Sequence, residues 1–363
     1  MLPITIIIPT LDRHDLLLRA IDYYQHFDCN ILVADSSATK ENCEFPDNFT
    51  YKHLPGMAYG KKLLEIVKDV TTQYACLVSD DDYFLESSLK AGASFLNSNS
   101  DYVSVQGRYL GFELIGNQVV FSPRYGRHSS CHAVESEDRF SRIVEAYNPF
   151  MHQIFAIHRT DLFIKSFQLH AVSSIHHKLF WGKFVLADFL QVLVPMCYGK
   201  HKVLPILWMV RDTYTFDSTR AQKYLVAKSK LSSIGSSYRW DNRSVNEVEF
   251  FFNSKECGLI KENFGEIIFE LIGNKEESDK LFDVACKSFT QSFLNNRNKV
   301  NIKMMIKLFV PTLVSTYFIK RRKLRHMGGV ETTSSAKDAL AKIRLSVLTF
   351  RKCYDTDVSR IIK

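Results

Sequence analysis

The first eighty residues hold four short apolar runs, and the three strongest stop at acidic or small polar residues. "ITIIIP" at 4–9 ends just before Thr10 and Asp12, "NILVADS" at 30–36 carries Asp35, and "YACLVS" at 74–79 runs into Asp80, Asp81 and Asp82. A weaker run, "FTYKHLP", occupies 49–55. Runs of this length, rich in β-branched residues and bounded by turn formers, read as buried strands. Between them, "DLLLRAIDYYQHF" and "GKKLLEIVKDV" at 60–70 have helical spacing, with Asp12 or Asp15 available to cap the first. The order β-α-β-β-α-β predicts a mostly parallel sheet covered by helices, an α/β fold. In such sheets ligands lie outside the carboxyl ends of the strands. Asp12, Asp35 and the run 80–82 are therefore expected along one edge.

Further on, a helix is predicted from residue 84 to about 96. "DYVSVQGRYLGFEL" and "QVVFSP" read as a hairpin through Gly116-Asn117, followed by a helix ending near 147. "FMHQIFAIHRTDLF" reads as a strand and then a helix start. "HHKLFWGKFVLADFLQVLVPMCYGKHKVLPILWMVRD" reads as a helix, a turn at Gly199-Lys200 and a strand. Beyond about 220 the chain becomes more helical and more polar. The expected division is a catalytic α/β unit over 1–220 and a mainly helical region over 221–363, with the boundary between 215 and 235.

Whether the sheet edge is a site depends on the three adjacent carboxylates, which repel one another. Solvent can offset that cost in an exposed turn; a bound cation can do so in a site. The formal net charge of +8 over 363 residues suits phosphate-bearing small molecules, anionic lipid or nucleic acid alike. Hydrophobic content of 46% is enough for a substantial core. The eight cysteines are scattered without a C-x-x-C pair, which argues against a zinc knuckle or a disulfide framework and points to a reducing, cytoplasmic compartment. The His176-His177 pair has no ligand at zinc spacing. The N-terminus has no basic region or cleavage site, so no signal peptide is expected.

The succession "IIIPTLDR", "VADSS" and "SDDD", each at a strand end, resembles the family 2-like glycosyltransferases of the GT-A fold, most closely the bacterial enzymes that build surface polysaccharides. The resemblance covers about residues 3–215. It implies a Rossmann-like, mostly parallel sheet flanked by helices, with a helical C-terminal region. It implies that Pro9, Thr10 and Arg13 form the first loop around a nucleotide, and that Asp35 contacts its base. Lys61 or Lys62 would lie near the phosphates. Asp80, Asp81 and Asp82 would form the diphosphate motif, with Asp80 and Asp82 holding Mn²⁺ or Mg²⁺ through hard carboxylate oxygens. "LADFLQVLVPMCYGKHKVLP" at 186–205 is similar to the family's acceptor-side helix, Gly and strand, although Ala187 stands where an acidic residue is common. Asp188 then takes the place of the general base, which implies inversion at the anomeric carbon. Arg211 and Arg220 could meet diphosphate oxygens bidentately. His152 and His158 could contact sugar hydroxyls or serve as structural residues, and Trp181 could stack on a sugar or pack in the core.

The implied partners are a nucleotide-diphosphate sugar donor and a glycan or lipid-linked acceptor. Residues 300–326 join a short apolar stretch to the basic cluster "KRRKLR". The apolar part is too short to span a bilayer; it reads either as an interfacial helix, a peripheral contact with the inner membrane face, or as a helix packed on the core. No nucleic-acid-binding pattern accompanies it. Two rival readings remain: a nucleotidyltransferase, and a non-catalytic glycan- or membrane-binding protein on the same fold.

Overall fold

The computed structural model describes residues 1–115, 118–124, 131–174, 185–212, 252–309 and 333–351. The first half is built as the alternation of apolar runs requires. Strands β1 (Ile4–Thr10), β2 (Asn30–Asp35), β3 (Phe49–His53) and β4 (Tyr74–Leu77) lie side by side in the order β3-β2-β1-β4, all parallel. The sheet continues through β8 (Ile157–Arg159), β6 (Tyr102–Ile115), β9 (Lys200–Asp212) and β5 (Tyr83–Phe84), with β7 (Gln118–Arg124) paired to β6. β8 runs antiparallel to β4 and β6, and β5 antiparallel to β9, while β6 and β9 are parallel. Six of these nine strands thus point one way, and the sheet is the mostly parallel one that the sequence predicts.

Period-two alternation places the sheet between two helical layers. Ile4, Ile6 and Ile8 pack with Leu17 and Ile21 of α1 (His14–Tyr24) and with Leu89 and Leu96 of α3 (Glu86–Ser98). Ile7, Leu32 and Leu77 face the other way, onto Leu63 and Ile66 of α2 (Tyr59–Ile66) and Phe163 and Phe167 of α5 (Thr160–Ser174). Strands covered on both faces read as continuous apolar runs, which is how "ITIIIP" reads.

Several elements differ from expectation. The N-cap of α1 is Arg13, without a side-chain cap, because Asp12 is used in the preceding turn at φ 52°. Aspartate tolerates this left-handed region better than most residues. α2 is shorter than its apolar pattern, closing in a single 3-10 turn over Val67–Asp69. β8 keeps only three residues, since the chain turns at Gln153–Ala156 just before it. β6 and β7 pair antiparallel as expected, while the Gly116-Asn117 turn lies outside the described residues.

The remaining helices form two further groups. α4 (Arg139–Tyr147), capped by Asp138, packs with α6 (Val185–Tyr198), α7 (Lys255–Ile272) and α8 (Lys275–Phe309) around Tyr147, Phe189, Phe264 and Phe289. α9 (Ser334–Thr349), capped by Thr333, lays Ala336, Ile343 and Val347 on Tyr83, Phe112 and Leu207. The expected boundary at 215–235 falls outside the described residues. Among the described residues no helix is long and apolar enough to cross a membrane. Residues 300–309 lie on the last turns of α8, and the rest of the 300–326 stretch lies outside the described residues.

Candidate functional site

The carboxyl ends of β1, β2 and β4 meet at one edge, and the acidic residues gather there. They do not face open solvent: Asp35, Asp80 and Asp82 are each at most 2% exposed, and Asp81 is 7% exposed. Burying three adjacent carboxylates requires compensation. Arg13 supplies most of it, pairing through Nη2 with Asp80 Oδ1 at 2.8 Å and with Asp81 Oδ2. Thr10 Oγ1 donates to Asp80 Oδ2 at 2.7 Å. Three residues after Asp80 the chain enters β5, which pairs with β9. That pairing brings the end of β9 to Asp82: Arg211 Nε donates to its Oδ2 at 2.9 Å, and the Asp212 amide to its Oδ1 at 2.8 Å. The Arg211 guanidinium lies 4.3 Å from the centre of the Phe155 ring, a cation–π contact that holds it in place.

These surroundings set the charges. Burial pushes the Asp80 carboxyl up to about 6, against the pull of Arg13 and with a push from Asp81. Burial also acts to raise Asp81, but Arg13 outweighs it and the group is held below the ordinary carboxylate range. Asp82 is raised, again by burial, with Arg211 opposing. The three titrate as a set, with one member tending toward the neutral form at mildly acidic pH.

The second half of the site surrounds Asp35. Its Oδ1 accepts from the Ser37 amide at 2.8 Å and from the Ser37 hydroxyl; its Oδ2 accepts from Tyr51 OH at 2.7 Å and lies 2.9 Å from His14 Nε2. Burial would raise this carboxyl, but the hydrogen bonds from Ser37, Tyr51 and His14 together bring it below its usual value. The Ser37 hydroxyl also accepts from the Asp12 amide at 2.7 Å, so the turn after β1 is tied to the turn after β2. Arg13 and His14, adjacent in sequence, therefore join the aspartate run to the Asp35 pocket.

Of the two lysines, the structure brings only Lys62 into the site. Its Nζ is buried and donates to the Thr10 carbonyl at 2.7 Å and to Ser36 Oγ at 2.9 Å, while Lys61 is exposed on α2. Hydrogen bonds from a charged donor contribute about 1.5–3 kcal/mol. Lys62→Ala should destabilise the fold by about 2 kcal/mol and Lys61→Ala by less than about 0.5 kcal/mol in urea unfolding; equal costs would contradict this placement.

Pro9 sits on β1 opposite Ala34, next to Thr10 opposite Asp35. His158 is fully buried at the β4–β8 pairing, with Nε2 3.2 Å from the Gln153 carbonyl, and burial lowers it to about 4. It is a structural residue of the sheet. His152 is half-buried, its ring 5.3 Å from that of Phe150. Asp188 falls on α6, and its side chain lies outside the described residues, as do His176, His177, Trp181 and Arg220.

The sequence reading missed Arg19. It is fully buried on α1, with its guanidinium 4.8 Å from the centre of the Tyr83 ring and Nη2 3.5 Å from the Asp80 carbonyl. It also missed Tyr24, whose OH donates to the Asp82 carbonyl at 3.1 Å and accepts from the Phe84 amide at 2.7 Å. Both hold the backbone of the aspartate run from the α1 side.

Asp80 and Asp82 provide the hard oxygen donors that Mg²⁺ or Mn²⁺ prefers. Among the described residues no group of three or more His, Cys, Asp or Glu is placed to hold a metal. All four oxygens of these two carboxylates already accept from Arg13, Thr10, Arg211 or the Asp212 amide, so an ion would have to share them with these donors.

No family model matches the chain, and no curated protein does. Among solved structures it is similar to TarS of S. aureus, at 12% identity and a TM-score of 0.42, over 81% of this chain and 55% of that one. It is similar to TarS 1-349 at 13% identity and a TM-score of 0.42, over 82% of this chain and 91% of that one. For TarS 1-349 in complex with UDP-GlcNAc the values are 12% and 0.39, over 82% and 92%. Likeness at this level carries no argument about chemistry, which rests on this chain's own residues. What those residues establish is a Rossmann-like α/β sheet, mostly parallel and flanked by helices, with a buried acidic and arginine-rich cluster at the carboxyl ends of β1, β2 and β4.

Proposed function

We propose that the chain is a glycosyltransferase that moves a sugar from a nucleoside-diphosphate donor to a glycan or lipid-linked acceptor, in surface polysaccharide assembly. The observation that carries this reading is the pair of buried polar clusters at the strand ends, Asp35 with His14 and Asp80–Asp82 with Arg13 and Arg211, joined by the chain at Arg13-His14. A solvated acidic turn has no reason to be buried and closed by two arginines; a diphosphate site does.

In this reading the Asp35 pocket receives the nucleoside and the aspartate run the diphosphate. Arg13 and Arg211 hold side chains able to turn from carboxylate to phosphate oxygens. Asp80 and Asp82 would hold Mg²⁺ or Mn²⁺ jointly with the diphosphate, and the ion would supply charge neutralisation to the departing group. Asp188, near the start of α6, is the proposed base that takes the acceptor hydroxyl's proton, giving inversion. The 300–326 stretch is the segment that would bring the chain to a lipid surface at the inner face of the membrane.

The test is a panel of nucleotide sugars, with and without Mn²⁺ or Mg²⁺, followed by nucleotide release and by binding. Release of nucleoside diphosphate is expected; release of pyrophosphate would favour a nucleotidyltransferase. Asp82→Asn keeps one acceptor oxygen and sets an NH2 against the other donor, so its melting temperature should fall, and donor binding is compared at a temperature where both chains are folded. The variant's donor affinity should fall at least about tenfold, the loss of one charge-assisted contact. Unchanged donor binding and turnover in that variant would remove the basis of the reading.

A further inference from the structure

Asp35 is the residue that the family resemblance assigns to the base, yet its geometry leaves nothing for a base to bind. An ionised carboxylate has about four lone-pair sites. At Asp35 all four are matched by the chain's own groups: the Ser37 amide, the Ser37 hydroxyl, Tyr51 OH and His14 Nε2. The side chain is 0% exposed. A base N–H could reach it only by displacing one of these partners.

The next polar groups outward are better placed. His14 is 23% exposed, fixed through Nε2 by Asp35, with Nδ1 turned toward Glu41 Oε2 at 3.4 Å. That separation is long for a hydrogen bond, so this is the contact most easily exchanged for one to a ligand. Glu41 lies on the loop between β2 and β3 and is 16% exposed. Its amide donates to Tyr51 OH at 3.0 Å, and Tyr51 OH donates to Asp35. Tyr51 is steadied by stacking on Phe45, with ring centres 4.5 Å apart. Asp35 thus orients the histidine directly and, through Tyr51, fixes the backbone at Glu41, whose Oε1 accepts from the Asn42 and Cys43 amides.

We propose that His14 and Glu41 together read the edge of the nucleobase, and that Asp35 is a positioning residue behind them. The inference rests on the nucleotide-donor reading above. A ring nitrogen beside a carboxylate offers two adjacent polar groups, and the Watson–Crick edge of every nucleobase presents an adjacent donor and acceptor. His14 follows Arg13 directly, so the base contact and the diphosphate contact are one residue apart on the same turn.

The experiment measures dissociation constants for UDP, CDP, GDP, ADP and TDP, with Mn²⁺ present, by calorimetry. The parent chain, His14→Gln and Glu41→Gln are compared, with melting temperatures recorded for each. Glu41→Gln does not touch Asp35 directly and guards against a simple folding defect in the histidine variant. Both should shift the ratio of affinities between the preferred nucleotide and its nearest competitor by at least about tenfold. A purely structural role for His14 would weaken all five nucleotides together and leave the ratio alone. If the parent binds a nucleotide selectively and both variants keep that ratio, this inference is overturned while the donor reading stands. If the parent binds none of the five, the donor reading falls and takes the inference with it.

Discussion

Replacing Arg13 with alanine should cost about 3–5 kcal/mol of folding stability, the range for stripping one partner from a buried ion pair. Arg13 is the shared cation of Asp80 and Asp81, both nearly inaccessible to water. Without it, Asp80 keeps Thr10 and a distant Arg19 contact to its carbonyl, and two like charges are left side by side. The Asp80 carboxyl, already near 6, should rise further, so part of the cost is met by protonation. Arg13→Lys should recover some of the loss, because it restores charge without the planar fork that spans two carboxylates. The sharper control is to add Asp80→Asn and Asp81→Asn to Arg13→Ala. Neutralising the stranded charges should return about 2 kcal/mol or more, a coupling that only neighbouring residues show. A loss below about 1 kcal/mol for Arg13→Ala in urea unfolding would mean that the pair is solvated and the site is not the closed cluster described here.

Much of this cluster is legible in the sequence, and the misses share a cause. β1, β2 and β4 announce themselves because strands buried on both faces need continuous apolar runs, and their ends fix where the aspartates gather. β5 has no signal of its own: two residues become a strand only because Met209 and Val210 of β9 pair with them. That pairing delivers Arg211 to Asp82, so the partner of the last aspartate follows from tertiary structure rather than local pattern. Arg19 and Lys62 are charged residues at core positions, so helical phase marks them where composition does not. On α1 the buried positions include Leu16, Leu17, Ala20 and Tyr24, and Arg19 falls among them while Leu18 is left 37% exposed. On α2, Lys62 shares a face with Leu63 and Ile66, whereas Lys61 does not. A charged residue at a core phase, beside a sheet edge full of carboxylates, is the signal to seek. Neither Asp12 nor Asp15 caps α1: the sharp turn from β1 takes Asp12, and Asp15 lies within the first turn of the helix.

Acidification should reveal two opposing contributions that conceal each other in the parent chain. His158 is buried and neutral, with its folded value near 4 against an ordinary 6.5. The unfolded chain therefore takes up that proton first as pH falls. The stability tied to His158 is complete above 6.5 and is lost as pH falls toward 4, about 3 kcal/mol in all. His201 acts in the same direction: burial holds it well below its ordinary value, with His158 and His132 adding to the effect, and its Nδ1 lies 2.8 Å from Ser104 Oγ. Asp80 works the other way. Its folded value near 6 exceeds an ordinary 3.8, so the folded chain takes up the proton first, and stability increases as pH falls from 6 toward 3.8. Asp82, also raised by burial, adds to this gain. In the parent the slopes of the buried histidines and of Asp80 oppose each other across the same window, so each is read as the difference between a variant's profile and the parent's. Each single variant removes one side. Relative to the parent, His158→Gln should lose less stability as pH drops through this window, and Asp80→Asn should lose more. Urea unfolding at half-unit pH steps measures both. Parallel profiles for the two variants would show that neither group is held as the buried geometry requires, since only opposite perturbations of a buried base and a buried acid can tilt the curve in opposite senses.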